Sequence, residues 1–259
     1  MPIRKILVPL ISATAGEAAL STAWIAAGIW RAHVQVLHVP TSEARAREVR
    51  AMFDRFASRP GVTVREMSRA EEPGISFVTL AGREPEIVAQ QTRLADFAVV
   101  PHPASTEEAS SSDALHSILF DSGRPVLIAP KIAPATVGTR VCIGWNGTAE
   151  SSAAALAALP WLARAEAARI LWAEEYQRRG PPASELRAHL ALHGVNADTA
   201  RFRPIDKNVG AGLLAAAKEF GCDLLAMGAY SHSRLRQQIL GGVTRHVLAQ
   251  ADLPIMMTR

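Results

Sequence analysis

The sequence predicts two α/β domains in tandem, each an open parallel sheet covered by helices on both faces. Three observations carry that prediction. The short apolar runs are continuous and do not alternate with polar residues, the pattern of parallel strands buried on both faces. Alanine-rich or amphipathic stretches of helical length separate them. The order of runs in the first half recurs in the second, an internal repeat of one βαβαβ-type unit.

Residues 4–10 (RKILVPL) and 139–145 (TRVCIGW) are the first strand of each copy. Each leads through a polar patch into an Ala-rich helix, GEAALSTAWIAAGIW in one copy and ESSAAALAALPWLA in the other. VQVLHVP (34–40) and ARILWAEE (168–175) are the second strands. In EVRAMFDRF, Val49, Met52, Phe53 and Phe56 fall at i, i+3, i+4 and i+7, one apolar helix face. LADFAVVPH (94–102) parallels GCDLLAMGA (221–229). Both copies close on a helix and a last strand, HSILFDSGRPVLIAP (116–130) and RHVLAQADLPIMMTR (245–259), which align on Pro125 and Pro254 without a gap. Pro9, Pro40, Pro101 and Pro130 stand at strand ends, where a missing N–H does least harm. Pro134 and Gly138 break regular structure, so the domains are read as 1–137 and 138–259.

Composition narrows the function classes. Apolar content of 49% with 20% charged residues suits a globular chain, and no apolar run reaches the roughly 20 residues of a membrane span. MPIRKILVPL shows no signal-peptide pattern, and Cys142 and Cys222 form no metal spacing or disulfide framework, so a cytoplasmic setting is expected. Residues 1–137 carry 14 basic and 14 acidic side chains and residues 138–259 carry 14 and 10, so the net +4 lies in the second half. No carboxylate occurs between Asp223 and Asp252, whereas Arg234, Arg236 and Arg245 do. That pattern points to a local anion site; a nucleic-acid surface would need basic residues interleaved with aromatic ones.

Ligands of such sheets sit at the carboxyl ends of the strands. In the second half two segments reach that edge, GWNGTAESS and MGAYSHSRLRQQILGGVTRHVL (227–248). Glycines let backbone N–H groups turn toward a phosphate, and a following helix N-terminus adds about half a positive charge. Gly228, Gly241, Gly242 and Thr244 fit that chemistry, with Asn146 and Gly147 on the other segment. Arg234 and Arg236 serve either as a phosphate clamp or as a solvated face, and Asn146-Gly147 either as a ligand contact or as a plain turn. His189 and His193 at i, i+4 lack a third metal ligand and are read as an exposed helix face; His38 is read as a satisfied core histidine. No G-x-S-x-G elbow, Walker A loop or positioned general base appears, so the chain is read as a non-enzyme, with weak ATP hydrolysis the most it would do.

The loop resembles the G-x2-G-x9-G-(S/T) nucleotide signature of the universal stress protein family. Gly228, Ser231, Gly241 and Gly242 hold its spacing, and CDLLAMGAYSHSRLRQQILGGVTRHVLAQADLPIMM covers most of its C-terminal block. KILVPL and VQVLHVP resemble the family's first two strands. The resemblance implies a tandem member with two five-stranded Rossmann-like domains of the adenine nucleotide alpha hydrolase type. It implies ATP, ADP or AMP in the second half, with Mg²⁺ alongside a triphosphate. Gly228, Ser231, Gly241, Gly242 and Thr244 would wrap the phosphates and Asn146 would meet the adenosine end. It also implies pairing of the two last strands into an intramolecular pseudo-dimer, with homodimers and protein partners open. Ser231, Gly242 and Asn146 depart from the pattern, which has Gly, Ser/Thr and Asp there. The first half's loop, PHPASTEEASSSDALH (101–116), lacks glycine and carries Glu107, Glu108 and Asp113, so that half is read as non-binding. The alternative reading is an interaction module for a protein partner or an apolar ligand, with Trp145 beside a decayed pocket.

Overall fold

A computed structural model of the chain describes residues 3–13, 16–67, 72–103, 109–178, 180–229 and 242–259. They fall into two compact units, Met1–Ala135 and Thr136–Arg259.

In the first unit β1 (Lys5–Pro9), α1 (Gly16–Trp30), β2 (His33–His38), α2 (Glu43–Ala57) and β3 (Gly74–Thr79) are followed by α3 (Glu84–Thr92), β4 (Phe97–Val100), α4 (Ala109–Ser117) and β5 (Val126–Ile128). All strands run parallel in the order β3-β2-β1-β4-β5. Ile6, Leu7, Val8, Val34, Val36, Ala98 and Val99 have no exposed surface, because helices cover both faces. Burying each such Val, Leu or Ile side chain contributes roughly 1.5–3 kcal/mol. Alanines line the sheet side of α1 (Ala19, Ala23, Ala26, Ala27), so that helix lies close over the strands. In α2 the buried residues are Val49, Met52, Phe53 and Phe56, the face read from the periodicity. A π-helical turn, Ile118–Ser122, extends α4 before left-handed Gly123 turns the chain into β5.

The second unit repeats the scheme: β6 (Arg140–Gly144), α5 (Ala149–Ala157), α6 (Leu159–Leu162), β7 (Ala167–Trp172), α7 (Ala183–Leu192), β8 (Ala197–Arg201), α8 (Val209–Phe220), β9 (Leu224–Gly228), α9 (Gly242–Gln250) and β10 (Ile255–Thr258). The parallel order is β8-β7-β6-β9-β10. The third strands, GISFVT and ADTAR, are the elements the apolar runs did not reveal. Three of the five residues of β8 are exposed, as an edge strand permits.

One contact recurs in both units. Asp96, just before β4, accepts hydrogen bonds from the backbone N–H groups of Arg4 (2.6 Å) and Lys5 (2.9 Å). Asp223, just before β9, accepts from Thr136 Oγ1 (2.7 Å) and from the N–H groups of Thr139 (3.1 Å) and Arg140 (2.8 Å). Each carboxylate thus fixes the start of the first strand beside the fourth. Charge-assisted hydrogen bonds contribute about 1.5–3 kcal/mol when removed singly. Asp223→Ala is therefore expected to lower unfolding stability by about 2–3 kcal/mol in urea titration, and Asp96→Ala, with two exposed bonds, by less.

Candidate functional site

The strand order of the second unit reverses between β6 and β9, which are hydrogen-bonded neighbours with Gly144 opposite Met227. The segments that leave their carboxyl ends flank a switch point, the usual ligand position of an open α/β sheet.

After β6, Trp145 to Thr148 lead into α5. Thr148 is the N-cap: its Oγ1 accepts from Ser151 N (3.3 Å), while the Ser151 hydroxyl donates to Thr148 O (2.9 Å). Asn146 is buried, and its Oδ1 accepts from both Thr148 N (3.2 Å) and the Thr148 hydroxyl (2.9 Å). The backbone N–H fixes this atom as the amide oxygen, since only an acceptor fits there. Gly147 follows at φ +79°, and a Cβ on it would lie 2.7 Å from Gln177 Nε2. Here the sequence needs glycine for both conformation and space.

A segment after β7 clasps this turn. Arg178 N donates to Asn146 O (2.8 Å), Trp145 Nε1 donates to Pro181 O (2.9 Å), and Gly180 packs on the Gly147 carbonyl. Trp145 is 3% exposed, so it offers no open apolar surface to a ligand. Tyr176 of the same segment is buried, and burial pushes its phenol up to about 12, with Arg178 opposing and Glu150 reinforcing the shift.

The end of β9 packs on the first turn of α5. A Cβ on Gly228 would meet the Glu150 carbonyl carbon and Ser151 N, both at 2.6 Å. That close approach accounts for glycine at 228 without reference to a phosphate. Thr258 Oγ1 donates to Glu150 O (3.3 Å), which adds a tie from β10.

On the far side, Gly242 opens α9 with no atom of the described residues within 4 Å of where a Cβ would stand, and Thr244 is buried two residues further in. Asn208, the N-cap of α8, donates through Nδ2 to His246 Nδ1 (2.8 Å) and accepts from Ala211 N (3.1 Å), so α9 is tied to α8. Ser231, Arg234, Arg236 and Gly241 lie outside the described residues. Asn146, Gly147, Gly228, Gly242 and Thr244 all stand on the two segments at the switch point. Sequence reasoning missed Tyr176, Ser151, Asn208 and His246. Only Asn208 had a visible signal, a capping residue before the apolar run VGAGLLAAA.

The first unit is built differently at its matching edge. Leu10 O accepts from His38 Nδ1 (2.7 Å), and His38 is buried at the core position read from the sequence, but it is not fully satisfied, because its Nε2 has no hydrogen-bond partner among the described residues. Asp113 is exposed on α4, and Glu107 and Glu108 lie outside the described residues. His189 and His193 are exposed with ring centres 5.0 Å apart, and no group of three potential metal ligands occurs among the described residues. No described helix is long and apolar enough to cross a membrane.

Residues 141–259 match the model of the universal stress protein family. The second half is a universal stress protein domain. The whole chain is similar in fold to a universal stress protein of Archaeoglobus fulgidus, at 13% identity over 99% of this chain and 96% of that one, with a TM-score of 0.70. It is similar to a putative universal stress protein of Pseudomonas aeruginosa, at 15% identity over 99% and 93%, with a TM-score of 0.61. It is also similar to the cytoplasmic domain of a prokaryotic cation chloride cotransporter, at 11% identity over 99% and 96%, with a TM-score of 0.56. No curated protein sequence matches the chain. The tandem Rossmann-like architecture is thus that of universal stress proteins, and the first half shares the fold.

The Tyr176 shift predicts a pH effect within this universal stress protein domain. A folded pKa above the unfolded value of 10 means that the unfolded state ionises first. Stability is expected to fall by roughly 2–3 kcal/mol between pH 10 and pH 12, at about 1.4 kcal/mol per unit. Tyr176→Phe should flatten that part of the profile in urea titrations run across the range.

Proposed function

We propose that the chain is a ligand-sensing regulatory protein that binds adenine nucleotide at the β6/β9 switch point of its second half. The observation that carries this reading is the pair of helix starts on adjacent strands. α5 begins behind the Asn146–Thr148 turn, and α9 begins at Gly242 with Thr244 in its first turn. A helix start carries N–H groups without an intrahelical partner and the positive end of the helix dipole, which favours an anion, although in α5 the Ser151 N–H is taken up by Thr148. The space that the described residues leave at Gly242 suits a phosphate or a larger side chain equally. In this reading Gly241, Gly242, Thr244 and Ser231 face the phosphates, Arg234 adds charge, and the amide nitrogen of Asn146 is the end left for the nucleoside. Mg²⁺ would accompany a triphosphate through its phosphate oxygens. The first half serves as a structural copy.

A second reading is an interaction domain without nucleotide. It is favoured by the internal use of Asn146 Oδ1 and by the packing role of Gly228.

Calorimetric titration of ATP, ADP and AMP into nucleotide-free full-length protein separates the readings, together with mass spectrometry of any extracted ligand. Binding in the micromolar range is expected. Thr244→Val should weaken it about tenfold, the equivalent of one hydrogen bond to a charged group. Gly242→Ser should leave the fold unchanged and tighten binding. Absence of both heat and co-purified nucleotide would select the interaction domain.

A further inference from the structure

The first unit carries positive charge at the end of its sheet where the strands begin, opposite the carboxyl edge. Elsewhere in this unit Arg45, Arg47, Arg50, Arg59 and Arg83 each meet a carboxylate. Lys5, Arg31 and Arg65 form no ion pair among the described residues. Lys5 opens β1, Arg31 lies between α1 and β2, and Arg65 runs beside the start of β3, its N–H donating to Ile75 O (3.0 Å).

The register sets three of these cations in a row. Lys5 of β1 is opposite His33 of β2, which is opposite Gly74 of β3. Partners in register on parallel strands share a face of the sheet. Gly74 has no side chain, and Arg65 fills its place: a Cβ there would overlap Arg65 Nε and stand 2.7 Å from Arg65 Cγ. His33 is 4% exposed, and its Nε2 shares a hydrogen bond with Ser76 Oγ (2.8 Å). His33 Nδ1 and Arg65 Nε are both buried with no hydrogen-bond partner among the described residues. Burial, then the charges of Arg65 and Lys5, pushes the His33 imidazole below its ordinary range, and burial does the same to Lys5.

Beside this row Arg65 lines a cavity of about 570 Å³ together with Gly28, Arg31, Glu72 and Pro73. That volume lies within the roughly 300–1,000 Å³ of small-molecule sites. Arg31 has φ +57°, a left-handed conformation that glycine adopts more easily, so a guanidinium stands there at a conformational cost. Asp96, beside Lys5, is taken up by the Arg4 and Lys5 N–H groups, and Glu72 is exposed. Cations drawn partly out of water without a counter-charge are costly, and their mutual repulsion adds to the cost. An anion seated among them relieves both, and guanidiniums match the oxygens of a phosphate.

We propose that this amino edge of the first unit is a binding site for the phosphate group of a small phosphorylated molecule. Arg31 and Arg65 hold the phosphate from the cavity wall, Lys5 and His33 add charge from the sheet, and Glu72 accepts from a hydroxyl on the remainder of the ligand. The site is independent of the nucleotide reading of the second half.

The test uses the full-length protein and inorganic phosphate as the probe, with sodium chloride of equal ionic strength as the control. The His33 ring resonances, assigned by correlation to its backbone, report on this unit alone. Phosphate is expected to shift them saturably and to move the His33 titration upward, because a bound dianion favours the imidazolium. Arg65→Gln should weaken phosphate binding about tenfold. Arg31→Gly, which suits the left-handed backbone, should keep the fold and weaken binding as well. Thr244→Val, in the second half, should leave the His33 response unchanged. No response of His33 to tens of millimolar phosphate, an equal response to chloride, or undiminished binding in folded Arg65→Gln or Arg31→Gly would each overturn the proposal.

Discussion

A single carboxylate before the fourth strand holds each half of this chain in register. A parallel sheet has no hairpin to align its first strand with its fourth, so the pairing must be fixed by contacts remote in sequence. Asp96 and Asp223 supply them by accepting from the backbone that opens β1 and β6. Those first strands sit in the middle of their sheets, and the ligand edge begins at their other ends. A slip of one residue there would exchange the two faces of the strand and break the packing of Ile6, Leu7 and Val8, or of Val141, Cys142 and Ile143, under their helices.

The same frame carries two edges of different chemistry. In the second unit the turn after the first strand is built from small polar residues that cap a helix and hydrogen-bond one another, and the fourth strand ends in a glycine that admits the helix. In the first unit the carbonyl of Leu10, just after β1, is taken up by buried His38. Each unit has its own buried strands and covering helices, so the residues at one edge can change without altering the core of the other unit.

Much of this was legible in the sequence. Continuous apolar runs marked eight of the ten strands, because burial on both faces leaves no room for polar residues. The exceptions are instructive: β3 and β8 are edge strands, and ADTAR keeps a polar surface that no hydrophobic pattern reveals. The positions of Asn146, Gly147, Gly242 and Thr244 at the sheet edge followed from their place after apolar strands. Their bonding did not. Glycine at 228 read as room for a ligand, whereas it is room for the backbone of α5, a contact between residues distant in the chain. Trp145 read as an apolar wall, yet its N–H is bonded to Pro181 and its ring is buried.

Asn146 has one consequence for molecular discrimination. A side-chain amide ordinarily has two faces, one that accepts and one that donates, and can recognise a base by matching both. With its oxygen committed to Thr148, this amide retains only the donating face. Such a group senses lone pairs on a heterocycle and is blind to an exocyclic amine.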